Sequence, residues 1–407
     1  MPDPSARRLW TAVLVCFVAL AAAFSARATL GLVLPTWVGV FGWSRTGISA
    51  IGAATLVVMA GVAPLAGRLV DRFGPRVALG AGLSCVAIGC AIVAGAPDGT
   101  VLVLGFAGIA ALGFGMVATH VVSTAIVQIA QRRRGLALGV ATSGATAGQF
   151  VILPLAAWVI SDLDWRWGFA LLAGLALVLV PLLWRLLPPG RFGAARTAPA
   201  GLRRDVTELL RAPAFHALFW SFLLCGYTTA GIIEVHLLPY AALCGFAPLP
   251  SATAYGVLSA VNLAGMITAG WLADRVSRPA LLAGIYLLRA ASFLLLLQVG
   301  TSYDRLIVFA AAFGMVDYAT VPVTASLVAS RLGVGRMGLA MGVISSGHAV
   351  GAALGAFLGG ALSDRFGSYA AVWWSGFALS LLAGWIVLPL LLSDRRPAGS
   401  PAPTAAH

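Results

Sequence analysis

The chain has 407 residues, of which 60% are apolar and 10% charged, and its formal net charge is +13. A soluble domain draws roughly a quarter of its residues from the charged types, so a surface solvated by water alone is excluded. All 26 basic residues are arginine, and they fall in short clusters between long apolar runs, a membrane pattern and not a nucleic-acid one.

A hydrocarbon core about 30 Å thick takes roughly 20 apolar residues per helix. Apolar runs separated by arginine-bearing breaks predict twelve such helices. The first six fall at 10–40, 46–69, 76–96, 100–130, 135–160 and 167–187. Residues 188–213, rich in Pro, Gly, Ala and Arg, read as a polar linker. The second six fall at 214–242, 251–273, 279–299, 305–330, 337–362 and 368–392. The expected organisation is one bundle over 1–187, the linker, a second bundle over 214–393 and a polar tail over 394–407. Arg7 and Arg8 precede an apolar run too long for a signal-peptide core. Twelve spans put both termini on one side, and 20 of the 26 arginines lie there against 4 opposite. The termini are therefore expected in the cytoplasm. Cys16, Cys85, Cys90, Cys225 and Cys244 show neither metal nor disulfide spacing.

The two halves repeat each other. Gly67-Arg-Leu-Val-Asp71-Arg echoes Gly270-Trp-Leu-Ala-Asp274-Arg at an offset of 203. Gly135-Leu-Ala-Leu-Gly echoes Gly338-Leu-Ala-Met-Gly at the same offset of 203, and Phe114-Gly-Met-Val echoes Phe313-Gly-Met-Val at 199. Parallel repeats of this kind build secondary carriers. The segment Gly67–Arg76 resembles the loop between the second and third helices of the major facilitator superfamily, and the likeness extends over essentially the whole chain. That resemblance implies an all-α membrane protein of two pseudo-symmetric six-helix bundles, with a cavity lined by the first and fourth helices of each half. Phe41-Gly-Trp-Ser-Arg-Thr-Gly-Ile-Ser and Arg132-Arg-Arg-Gly-Leu-Ala-Leu-Gly are similar to bacterial monocarboxylate-transporter-like and oxalate/formate-antiporter-like members. They imply a small organic anion as substrate and a bacterial inner membrane as location. One departure stands out. Animal monocarboxylate transporters carry an aspartate and, four residues on, an arginine in helix eight, where this chain has Asn262 and Met266.

A charge inside a span costs roughly 2.5–3.5 kcal/mol on insertion scales, so Arg27, Glu234, Arg289 and Asp317 need a reason. Arg27, on the first helix, suits a substrate carboxylate, which a guanidinium grips bidentately; the other reading is a structural pair. Arg289 and Asp317 reach mid-membrane from opposite faces, where pairing is open to them. An acid whose arginine is drawn away can couple protons to transport. Glu234 and His236 precede Pro239 at the outer end of helix seven, a place for a gate or for proton coupling. His120, Gln149, Asn262 and His348 are expected substrate ligands, or else hydrogen-bonding glue between helices. Tyr240 and Tyr318 are further hydroxyl donors. Asp71, Arg72, Asp274 and Arg275 are expected to act in conformational loops, the acids near helix N-termini. Glycines at 139, 144 and 148, and at 342, 347, 351 and 355, allow close helix approach.

No zinc spacing, P-loop, Ser–His–Asp set or flavin fingerprint occurs. The expectation is a monomeric carrier, not an enzyme, with no metal and no cofactor. Its partners are a small organic anion, a proton or other ion, and the lipid bilayer, with no nucleic acid. A drug or metabolite exporter of the same fold remains open, as does a non-transporting sensor.

Overall fold

The computed structural model describes residues 4–130, 133–187 and 201–394. Arg132, Arg191, Arg196, Arg395 and Arg396, with linker residues 188–200 and tail residues 395–407, lie outside the described residues. Among the described residues, twelve helices are long and apolar enough to cross a membrane, and there is no strand. The first half comprises α1 (Pro4–Phe41), α2 (Arg45–Phe73), α3 (Pro75–Ala94), α4 (Gly99–Ile129), α5 (Arg134–Asp162) and α6 (Trp165–Leu186). The second comprises α7 (Pro213–Leu243), α8 (Pro248–Ala273), α9 (Arg278–Leu296), α10 (Tyr303–Arg331), α11 (Met337–Phe366) and α12 (Ala370–Val387). Large apolar side chains such as Trp158, Trp167, Phe357 and Trp385 are exposed, as a lipid solvent requires.

Local chemistry sets the helix ends. Ser44, Asp98 and Asp164 accept backbone N–H bonds at the starts of α2, α4 and α6, satisfying donors a helix cannot satisfy itself. Gly74 has φ +87°, open to glycine at little cost, and Pro75 comes next as the first residue of α3, so the chain reverses there.

Three of the spans are irregular inside. In α4 a π-helical turn occupies Leu104–Ala110, and the helix breaks at Val117 and Ala118. In α7 a π turn occupies Tyr227–Gly231. In α10 the helix breaks between Val316 and Thr320. The break in α4 begins at the last residue of the repeated Phe-Gly-Met-Val, and that in α10 directly after it. Pro239 does not loosen α7, which stays helical to Leu243; the irregularity lies upstream, in the π turn.

Within each half, equivalent helices pair: α1 packs on α5 and α3 on α6, while α7 packs on α11 and α9 on α12. The halves meet along α2–α11 and α5–α8. Their seam is tight on the side carrying the linker, here called the terminal face. Asp71 accepts bonds from the N–H groups of Gly338 (2.9 Å) and Leu339 (2.8 Å) at the start of α11. Asp274 accepts from Gly135 (2.8 Å) and Leu136 (3.0 Å) at the start of α5. Each acid thus caps a helix of the opposite half, and the offset of 203 exchanges the two contacts. Arg72 and Arg275 do not cross: Arg72 lies over Phe73, and Arg275 over Trp271 at 3.9 Å.

Between these caps the backbones touch. A methyl at Gly67 would overlap Gly338, and one at Gly135 would overlap Gly270. Gly342 approaches Ala63 in the same way, and Gly139 approaches Met266. Ser346 Oγ donates to the Ala60 carbonyl at 2.7 Å, one turn further along α2 and α11. Glycines at 144 and 148 pack α5 on α1, and those at 351 and 355 pack α11 on α7.

Part of the segment read as a polar linker is helical. Leu202–Arg211 forms a short amphipathic helix across the terminal face. Its Asp205 pairs with Arg68 of α2 at 3.4 Å, and its Glu208 pairs with Arg336, beside the start of α11. One ten-residue helix therefore grips both halves.

Candidate functional site

Above the Ala60–Ser346 contact, α2 and α11 part, and the space between the halves opens into a cavity of about 440 Å³. Its walls come from α1, α2, α4, α7, α10 and α11. The volume lies at the small end of the range for small-molecule sites, roughly 300–1,000 Å³. Most of the wall is apolar, with Leu30, Leu56, Met59 and Phe222 among its members. The polar exceptions are Arg27, His120, Glu234, Tyr318, His348 and a few hydroxyls.

Arg27 is half-buried on α1, with its guanidinium 4.7 Å from the Phe24 ring centroid. It has no hydrogen-bond or ion-pair partner among the described residues. A guanidinium held at an apolar wall without a carboxylate has donors to spare for a ligand. Glu234 faces the same space from α7, one turn after the π segment, and Tyr318 Oη donates to its Oε1 at 2.7 Å. The extra residue of a π turn rotates the helix beyond it, and so sets which face of α7 Glu234 occupies.

His120 is the second residue of the second segment of α4, which runs Thr119–Ile129. It is buried, and its Nε2 has no hydrogen-bond partner. His348 packs on Phe222 with ring centroids 4.9 Å apart. Sequence reasoning thus named five residues that the structure gathers into one cavity: Arg27, His120, Glu234, Tyr318 and His348.

The other named residues stand elsewhere. Asn262 is buried outside the cavity wall: its Oδ1 accepts the N–H of Tyr318 at 3.1 Å, and its Nδ2 reaches Thr146 at 3.4 Å. It satisfies a donor orphaned by the break in α10. Gln149 is half-buried on α5, off the cavity wall. His236 is buried between α7, α11 and α12, with Nε2 donating to the Ala356 carbonyl (3.0 Å) and Nδ1 3.4 Å from Tyr369 Oη. Gly359 makes room for its ring. Both ring nitrogens are engaged, away from the cavity.

Arg289 and Asp317 meet, though not as an ion pair. Arg289 is fully buried, and its Nη2 donates to the carbonyls of Val316 (2.7 Å) and of Asp317. Its Nη1 donates to Cys225 Sγ (2.9 Å) and Thr228 Oγ1 (3.2 Å). The guanidinium caps the C-terminal end of the first segment of α10, where the helix dipole is negative. The Asp317 carboxylate stays 3% exposed, with Oδ1 unbonded. Cys225 and Thr228 gave no sequence signal as partners of Arg289, because the π turn that aims this stretch of α7 is not visible in residue spacing. Among the described residues no group of three His, Cys, Asp or Glu side chains could hold a metal.

Two six-helix bundles around one central cavity, sealed at one end by exchanged helix caps, define a membrane carrier. The chain belongs to the Major Facilitator Superfamily, whose family profile matches residues 15–302 and 254–406. It is 28% identical to monocarboxylate transporter 13 of Rattus norvegicus, over 94% of this chain and 88% of the relative. It is 27% identical to monocarboxylate transporter 11 of Homo sapiens, over 94% of this chain and 82% of that one. Among solved structures, the proton:xylose symporter XylE bound to 6-bromo-6-deoxy-D-glucose shares the fold with a TM-score of 0.74 at 15% identity, covering 95% of this chain and 96% of that one. The human organic anion transporter MFSD10 does so with a TM-score of 0.72 at 18% identity, covering 95% and 100%. The protein is a multi-pass membrane transporter related to the monocarboxylate transporters, and not an enzyme.

Proposed function

We propose that the protein carries a small organic carboxylate across a bacterial inner membrane by alternating access, coupled to protons, with both termini cytoplasmic. The observation that carries this reading is Arg27, a guanidinium on the cavity wall with no carboxylate partner among the described residues. Such a group supplies two parallel N–H donors to a carboxylate in a low-dielectric space, where the contact is strong. The relatives named as monocarboxylate transporters support the substrate class. The arginine asymmetry supports the orientation.

In this reading the structure represents the state closed to the cytoplasm, because the exchanged caps and glycine contacts lie on the terminal face. Asp317 is the acid that carries the coupled proton. It is buried, it lacks a partner for Oδ1, and it adjoins Tyr318 at the cavity edge. Arg289 holds the backbone of this break and leaves the carboxylate free to exchange a proton. The test is uptake of a panel of labelled carboxylates into proteoliposomes, with and without an imposed pH gradient. Stimulation by the gradient is expected for at least one carboxylate. Asp317→Asn is expected to remove that stimulation while substrate exchange persists. Gradient-insensitive uptake of every transported carboxylate sinks the proton coupling.

A further inference from the structure

The cavity presents two opposite fixed charges, one from each half. Arg27 comes from α1, and Glu234 from α7, its repeat equivalent. Neither has an ion-pair partner among the described residues, so they do not neutralise each other by contact. Tyr318 orients Glu234 by bonding Oε1, and Oε2 has no partner among the described residues. The walls around the two charges are apolar, with Leu30, Leu56 and Met59 among them.

For a plain monocarboxylate this arrangement is half wrong. A fixed carboxylate facing the same space, at an effective dielectric of about 20, lowers the affinity for an anion by a factor that grows as the two charges approach. The same field favours a ligand cation by the same factor. A ligand that carries both charges satisfies both groups and leaves no net charge in the cavity.

We propose that the cavity takes a zwitterionic carboxylate of amino-acid type. Its carboxylate sits on Arg27, its ammonium group on Glu234, and its apolar body lies against the walls of α1 and α2. This rests on the carboxylate reading of Arg27 and narrows it. Glu234 then acts as a specificity residue and Tyr318 as the residue that positions it, while proton coupling stays with Asp317. A cavity of about 440 Å³ is in scale with such a molecule and a few waters.

The test compares ligands that share a carbon skeleton. Leucine is set against 4-methylpentanoate, phenylalanine against 3-phenylpropanoate, and 4-aminobutanoate against butanoate. Binding to the purified full chain is read as ligand-dependent thermal stabilisation and as competition for counterflow. The amino member of at least one pair is expected to bind at least about tenfold tighter. Glu234→Gln, nearly isosteric, is expected to remove that preference by weakening the amino member and tightening the deaminated acid, each by at least about threefold. Tyr318→Phe keeps the charge and loses its orientation, so a smaller loss in the same direction is expected; it serves as the second variant where Glu234→Gln folds poorly. Equal or tighter binding of the deaminated members overturns the proposal, as does a Glu234→Gln effect equal for both members. If only deaminated acids bind, and Arg27→Ala abolishes that binding, the zwitterion proposal falls and the carboxylate reading stands. If neither class binds, both fall.

Discussion

Asp71→Asn probes the terminal seal by a single-atom change. The Asp71 carboxylate is 8% exposed and accepts two backbone N–H bonds, at 2.9 and 2.8 Å, from the first turn of α11. Bonds to a charged acceptor contribute about 1.5–3 kcal/mol each, and the positive end of the helix dipole adds about 0.3–1 kcal/mol. Asparagine keeps one acceptor oxygen and loses the charge, so the closed terminal face loses about 2 kcal/mol. The contact joins the two halves and cannot survive opening, so the loss falls on the closed state alone. The ratio of terminal-closed to terminal-open molecules should drop by roughly thirtyfold. The assay is double electron–electron resonance between labels on Phe73→Cys and Val276→Cys, in a background without the native cysteines. Both positions are exposed, at the terminal ends of the two halves. The expected result is a longer mean distance in Asp71→Asn, with turnover reduced more than substrate affinity. An unchanged distance distribution in a folded variant refutes the assignment of Asp71 to the seal.

The same contacts set the outcome of other perturbations. Gly67→Val places a side chain where a methyl already overlaps Gly338, so the terminal face should fail to close; transport should vanish and the label distance lengthen while the protein still folds. Arg289→Gln removes the charge that caps the broken α10, and losing one member of a buried polar set should destabilise by about 3–5 kcal/mol, read as a lower unfolding temperature in detergent. Arg289→Lys, with fewer donors, should recover only part of that loss. Asp205→Asn combined with Glu208→Gln frees the linker helix from Arg68 and Arg336, and should raise the terminal-open population. The hydrogen bond from Arg204 holds the Glu208 carboxyl below the usual glutamate range. With the folded-state value depressed, its contribution is complete above that range and fades only as pH falls beneath it. The difference in label distance between wild type and this double variant should therefore be constant above about pH 5, and a difference that changes near neutral pH would contradict this role for Glu208.

Much of the fold was legible in the sequence because lipid imposes one strong rule, that each span must satisfy its own backbone. Twelve spans and their ends can be read from apolar runs, and the described helices begin and end within a few residues of those expected. The repeat also announced the seal: Asp71 and Asp274, Gly338 and Gly135 share the offset of 203. What the sequence did not disclose was that each acid reaches into the opposite half. Such long-range exchange leaves no local periodicity. The charges of the site were conspicuous because a span tolerates few of them. Arg27 and Glu234 stood out for that reason, and both line the cavity. Asn262 and His236 carry polar groups too, yet one satisfies a broken helix and the other packs between helices. Residue type does not separate those roles; the break in α10 and the gap at Gly359 do. The linker helix was missed because its stretch is dominated by linker-like composition, although Arg204 and Glu208 already stood at helical spacing.

The role of Arg27 is tested most directly by measuring carboxylate binding to purified Arg27→Ala, Arg27→Lys and wild-type protein. Losing a bidentate charge-assisted contact of about 3 kcal/mol should weaken binding roughly a hundredfold in Arg27→Ala. Lysine, a point charge without the fork, should recover part of it. The unliganded variants should unfold at the wild-type temperature, since Arg27 makes no hydrogen bond or ion pair among the described residues. A folded Arg27→Ala that binds the transported carboxylate with wild-type affinity would contradict the assignment of this guanidinium to the substrate.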